Sequence, residues 1–101
     1  TDPWEHAMAE DNEWFSLPWF GSFRPFENGW IYHQKLGWLF AAGTNEDSVW
    51  LWSNHLGWLW TGKDAYPFLY GHADGDWYFF MQTIPDRAIL FSYATREWLD
   101  L

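Results

Sequence analysis

A block of eleven residues recurs in this chain twenty positions later without a gap, and this repeat restricts the fold more than any other feature. Residues 30–40 read WIYHQKLGWLF, and residues 50–60 read WLWSNHLGWLW. A period of this length is typical of proteins that stack one small supersecondary unit on the next. We therefore expect a repeat architecture.

Weaker versions of the block lie on both sides of these two copies. A third copy spans residues 68–79 with one residue inserted after its glycine, and a fourth, degenerate copy spans residues 90–99. Residues 14–23 form a divergent leading copy. Polar, turn-forming connectors separate the later copies, at residues 43–47, 61–64 and 85–87.

Each copy has the composition of a β-hairpin. Short runs of aromatic and β-branched residues favour strands, and the polar loops between them end in glycine, which adopts the positive φ of such turns. Leu36 and Leu56 precede these glycines, and we expect them to fold back onto neighbouring rings. The pattern predicts an all-β fold, an antiparallel meander of successive Trp-rich β-hairpins.

The length of 101 residues allows one domain. The repeat predicts a single aromatic hairpin-repeat domain over residues 14–101, preceded by an N-terminal arm or a short helix over residues 1–13. The helix alternative rests on Asp2 and Pro3, which resemble an N-cap followed by a first-turn proline. It predicts two helical turns over residues 4–12.

Alternation along the strands places rings and aliphatic side chains on opposite faces of the sheet. Trp50 and Trp52 point to one face and Leu51 to the other, and the next strand repeats this pattern. Both faces are therefore apolar. Either the sheet curls so that both are covered, or the aromatic face contacts something outside the chain.

The number of rings favours the second alternative. The chain has 11 Trp, 9 Phe and 5 Tyr, and a domain of this size leaves a large share of its surface exposed. Exposed rings that form a patch usually mark a contact site, whereas the competing interpretation assigns most of them to the core. The predicted ligand platform consists of Trp38, Trp50, Trp52, Trp58, Trp60, Tyr70 and Trp77.

The chemistry of such a platform is ring stacking. Flat rings stack against the C–H faces of sugars, and their faces also attract quaternary ammonium groups. Nearby polar side chains are expected to orient hydroxyl groups of a ligand. These are Gln34, Asn54, Asp64 and Asp76.

Charge and composition disfavour other partners. Fourteen acidic residues against five basic ones give a net charge of −9, which repels nucleic acid and anionic lipid surfaces. The chain has no cysteine for a disulfide or thiolate metal site, and no apolar run reaches the ~20 residues of a transmembrane segment.

No motif predicts catalysis, a metal or a cofactor. The spacing of His33, His55 and His72 matches no compact metal motif, so these histidines and His6 are interpreted as exposed turn residues. Asp74–Asp76 is explained by turn chemistry rather than by a calcium loop. Nothing places two carboxylates across a cleft for glycoside hydrolysis, and we predict that the chain is not an enzyme.

The Trp-rich hairpins resemble the cell-wall-binding and choline-binding repeats of secreted bacterial proteins, as at Gly37–Trp38, Gly57–Trp58 and residues 77–80. They look still more like a group of exported bacterial surface domains with a repeated LGW core and a closing segment like that at residues 66–79. The first resemblance implies aromatic cages for choline or sugar, but the Gly spacing differs here. The second implies an extracellular or cell-surface location.

These observations predict a non-catalytic binding module of an exported protein, whose ligand is a glycan or another cell-envelope polymer. The rival interpretation is an assembly subunit, in which the same rings pack against a protein partner or further copies of the chain. The chain begins at Thr1 rather than Met, which indicates a mature form after signal removal or a piece of a longer protein.

Overall fold

The computed structural model describes residues 3–81 and 88–100, and in this part of the chain the fold is all-β. Eleven antiparallel strands form one sheet in which the spatial order equals the sequence order. The predicted meander of hairpins is therefore confirmed. The strands are β1 (Met8–Ala9), β2 (Phe15–Leu17), β3 (Gly21–Pro25), β4 (Trp30–His33), β5 (Gly37–Asn45), β6 (Ser48–Ser53), β7 (Gly57–Thr61), β8 (Phe68–Gly71), β9 (Asp76–Met81), β10 (Ile89–Ser92) and β11 (Glu97–Asp100).

The repeat corresponds to the hairpins one by one. The two strongest copies are β4–β5, with Ile31 opposite Leu39, and β6–β7, with Leu51 opposite Leu59. The weaker copies form β8–β9, β10–β11 and the leading hairpin β2–β3. The predicted connectors at residues 43–47 and 61–64 lie between hairpins, but residues 43–45 and 61 belong to strands β5 and β7 rather than to turns. Residues 85–87 fall outside the described residues.

One face of the sheet forms the core. The aliphatic residue at the middle of most strands is buried, and rings at some of these positions are buried as well. Leu36 and Leu56, in the turns of the two strongest copies, are partly buried and pack against this core. The buried apolar side chains of the sheet are Leu17, Phe23, Ile31, Leu39, Val49, Leu51, Leu59, Leu69, Tyr78, Phe80 and Leu90.

The sheet curls around this core. The rings of His33 in β4 and Phe80 in β9 lie 6.5 Å apart, although five strand spacings would separate them by roughly 24 Å in a flat sheet. Phe20 and Tyr66, from two connections between strands, fill the interior, with centroids 5.4 Å apart. The curl covers the aliphatic face and leaves the aromatic face outward.

A short N-terminal helix, the alternative for residues 4–12, is wrong. Residues 3–6 form a turn, Met8–Ala9 pairs with β2, and Asp11–Glu13 is a single 3₁₀ turn. Trp4 explains the difference, because its half-buried ring stacks on Phe20 at 5.2 Å and packs against the core. This tertiary contact overrides a local start signal.

In the two strongest copies, the first strand of the hairpin ends in an inward-pointing polar side chain. This side chain also stabilises the turn that follows. The Nδ1 atom of His33 accepts hydrogen bonds from the amides of Lys35 and Leu36, at 3.2 and 3.1 Å. In the next copy, Ser53 Oγ accepts a bond from the His55 amide at 3.2 Å. A buried acceptor at this position thus closes both turns.

His33 corrects one expectation from the sequence. His6, His55 and His72 are exposed as predicted, but His33 is 1% exposed and its Nε2 donates a hydrogen bond to the Phe20 carbonyl at 2.7 Å. Both ring nitrogens therefore have partners when the imidazole is neutral. Burial lowers the pKa of His33 to about 4, with Lys35 lowering it further and the Phe20 carbonyl opposing them.

The His33 shift predicts a stability that depends on pH. Because the unfolded chain titrates near pH 6.5, it binds more protons than the fold between about pH 4 and 6.5, so acidification over this range should cost about 3 kcal/mol from His33 alone. The variant His33→Ser, which carries the residue of the equivalent position 53, should lack this component. Urea unfolding at pH 4.5 and pH 7 measures the difference. Equal pH dependence in both proteins would contradict the assignment.

Candidate binding surface on the outer face

All seven residues of the predicted platform lie on the outer face of the sheet. Directly opposed residues of neighbouring strands share a face. The pairs Trp52–Trp58, Trp50–Trp60, Trp60–Tyr70 and Tyr70–Trp77 place six of the seven on one side. Trp38 joins them because it lies two residues before Phe40, which is opposite Trp52.

The platform rings contact one another edge to face. Trp52 and Trp58 have centroids 5.6 Å apart at 66°, and Tyr70 and Trp77 lie 5.3 Å apart at 71°. Edge-to-face pairs are stabilising, so these rings hold each other in place. Trp38 belongs to neither pair, and its ring packs on Tyr32 with centroids 5.3 Å apart.

Exposure differs among the rings. Trp38 and Trp77 are 51% and 36% exposed, whereas the other five platform residues are half-buried by their neighbours. Trp98 in β11 was not part of the predicted platform, yet it is 52% exposed. The outer face therefore offers ring surface to a ligand along most of the sheet.

A central groove lies between the second strong copy of the repeat and the third copy. Trp50, Trp58, Ala42 and His72 line it, and its volume is about 400 Å³. The Trp50 and Trp58 rings meet at 6.5 Å and 83°, and the His72 ring closes the third side at 6.2 Å from Trp50. The His72 amide donates a hydrogen bond to the Trp58 carbonyl at 3.0 Å, which fixes this wall.

A C-terminal groove lies one hairpin further along and has a volume of about 520 Å³. Its rings are Phe68, Trp77 and Tyr93, and the Tyr93 amide donates to the Trp77 carbonyl at 3.0 Å. Asp64 and Asp76, two of the four predicted orienting residues, also line this groove with Ala65. It combines ring faces with carboxylates that accept hydrogen bonds from hydroxyl or amino groups.

An N-terminal groove of about 870 Å³ lies beside the first strong copy. Trp30 and Trp38 line it, and Phe26 packs against Trp38 at 5.0 Å. Arg24 stacks over the Phe26 ring at 4.7 Å and forms an ion pair with Glu13. The N-terminal groove differs from the central and C-terminal grooves because a basic side chain, Arg24, lines it.

The other predicted orienting residues lie elsewhere. Asn54 Oδ1 accepts a hydrogen bond from Trp52 Nε1 at 3.2 Å, and Asn54 lines a separate hollow beside Trp38. Gln34 is exposed in the turn between β4 and β5 and lines none of the three grooves. Both side chains lie in turns, at the ends of the strands rather than over the rings.

Sequence reasoning missed several groove residues. Phe68, Tyr93 and His72 were not assigned to the platform, although Phe68 occupies the repeat position of Trp50. The twenty-residue period contained this signal for Phe68. His72 and Tyr93 could not be found in this way, because each completes a groove of the preceding hairpin.

The fold and the surface define an aromatic hairpin-repeat protein with an outward ring face. No protein-family model matches the chain, and comparisons with curated proteins and with solved structures also give no match. Within residues 3–81 and 88–100, no three potential ligands among His, Asp and Glu converge on a metal site. The same residues contain no helix of the length and apolarity needed to cross a membrane.

Proposed function

We propose that the chain is a non-catalytic binding module of an exported or surface protein, with a glycan of the cell envelope as its ligand. The observation that carries this proposal is the series of shallow, open grooves on the outer face, each lined by two or more rings. Rings that already pack edge to face lose little side-chain entropy when a sugar stacks on them. The LGW-type repeat supports the assignment to exported proteins.

Saccharide titration tests the proposal. Probes are the hexamers of β-1,4-linked N-acetylglucosamine and of β-1,4-linked glucose, together with soluble peptidoglycan fragments. Binding of at least one should change the tryptophan fluorescence, and Trp77→Ala should weaken it by at least about fivefold because stacked rings contribute about 1–3 kcal/mol each.

Trp98→Ala provides the matched control. Trp98 holds the same position in the fourth hairpin as Trp77 in the third and is more exposed, but it lines none of the three grooves. We expect this variant to bind like the unmodified chain. If no probe binds at millimolar concentration, the proposed function is wrong.

A second candidate is an assembly subunit. Tyr93 and Trp98, 43% and 52% exposed, lie on the last hairpin of the described sheet, where a protein partner or another copy would cover them. Light scattering separates the two functions. The glycan-binding module is a monomer that responds to saccharide, whereas an assembly subunit self-associates and its fluorescence does not change with sugars.

A further inference from the structure

The central and C-terminal grooves are built in the same way from equivalent repeat positions. Trp50 corresponds to Phe68, Trp58 to Trp77, and His72 to Tyr93. The same backbone hydrogen bond positions the third wall of each groove. The His72 amide donates to the Trp58 carbonyl, and the Tyr93 amide donates to the Trp77 carbonyl, at 3.0 Å in both cases.

The N-terminal groove contains the same ring pair. Trp30 and Trp38 occupy the positions of Trp50 and Trp58, and Phe26 supplies the further ring. Its further ring comes from the preceding segment, however, and the curl of the sheet directs this groove away from the C-terminal one, so only the central and C-terminal grooves are equivalent neighbours. Equivalent neighbouring grooves suit a ligand that repeats its own structure.

The spacing of the grooves indicates the size of the repeating unit. Neighbouring strands lie 4.7–4.9 Å apart, and the grooves recur once per hairpin, so their backbones follow each other at roughly 10 Å. A two-sugar unit of an extended β-1,4-linked chain has about this length. The direction from groove to groove runs across the strands.

The charges of the lining select against acidic polymers. The described residues that line the central and C-terminal grooves include no lysine or arginine, and the C-terminal groove has Asp64 and Asp76. In the N-terminal groove, Glu13 and Glu27 outnumber Arg24. With a net charge of −9 for the whole chain, a uronate or phosphate polymer would be repelled.

We propose that the central and C-terminal grooves are two successive subsites for one strand of a polysaccharide without acidic groups, which lies across the β-strands with one two-sugar unit per hairpin. This inference rests on the proposed function and specifies its ligand. Each additional groove that a chain reaches is engaged at a high effective concentration, so affinity grows with ligand length.

Oligomers of β-1,4-linked N-acetylglucosamine with two to eight sugars test this by calorimetry. The dissociation constant should fall at least about tenfold from dimer to tetramer and then level off. This exceeds the few-fold statistical gain that a single subsite gives to longer oligomers. Oligogalacturonate of equal length should not bind.

Removing one groove should abolish this dependence. With Trp77→Ala the tetramer should bind no more tightly than the dimer, while Trp98→Ala should keep the full dependence. Circular dichroism checks folding, and Phe68→Ala in the same groove serves if Trp77→Ala does not fold. In the unmodified chain, a dimer that binds as tightly as the tetramer would overturn the inference and leave the proposed function intact. Failure of every saccharide to bind would overturn both, and equal binding of oligogalacturonate would overturn the charge selection.

Discussion

Gly62→Ala should lower the free energy of unfolding by at least about 3 kcal/mol. A Cβ at position 62 would lie 2.2 Å from the carbonyl oxygen of Asp47 and 2.7 Å from its carbonyl carbon. These are backbone atoms of the turn between β5 and β6. The adjacent amide of Lys63 donates a hydrogen bond to the Glu46 carbonyl at 2.8 Å, so the turn cannot move away without losing this bond.

Urea unfolding followed by tryptophan fluorescence measures this loss, with Gly37→Ala as the control. Gly37 has a φ of +80°, and a Cβ added there would meet no atom within 4 Å beyond its chain neighbours, so alanine costs only backbone strain of about 1–2 kcal/mol. The close approach at Gly62 is refuted if its variant is no less stable than the control.

Gly71→Ser should cost about 3 kcal/mol unless Tyr78 is changed with it. The added Cβ would lie 2.6 Å from Cε2 of the buried Tyr78 ring. The equivalent positions of the preceding hairpin hold Ser53 and Leu59. The third copy therefore exchanges a serine and a leucine for a glycine and a tyrosine, and the missing Cβ accommodates the larger ring.

The double variant Gly71→Ser, Tyr78→Leu restores the pair found in the preceding hairpin. It should recover about 2 kcal/mol relative to the sum of the single changes, because the leucine removes the clash and the serine fills part of the vacated space. The double variant also loses the hydrogen bond from Tyr78 to Asp74, so full recovery is not expected. Strictly additive losses would contradict this size compensation.

The repeat predicted the positions of the rings in the candidate site but not the grooves between them. All seven predicted rings lie on one face, because alternation along a strand and pairing across strands are local rules. The grooves between the rings were not predicted. Their third walls, His72 and Tyr93, come from the hairpin that follows, and their contacts depend on the twist between successive hairpins.

His33 and Trp4 show which part of the core could not be predicted from local sequence patterns. A histidine at a turn and a tryptophan after a helix start signal look like surface residues when the sequence is read locally. Their burial follows from Phe20, whose ring lies 4.5 Å from His33 and 5.2 Å from Trp4. Such contacts join segments that the repeat pattern does not relate.

The amino-acid sequence alone determined that this chain forms antiparallel hairpins with rings on one face and aliphatic side chains on the other. Turn glycines and the two-residue alternation act over a few residues, so a repeated segment repeats the same local structure. Only the tertiary structure decided which apolar face is inside. The curl that brings His33 to Phe80 buries the aliphatic face, since its compact side chains fit the concave side, and leaves the larger rings outward to form the grooves.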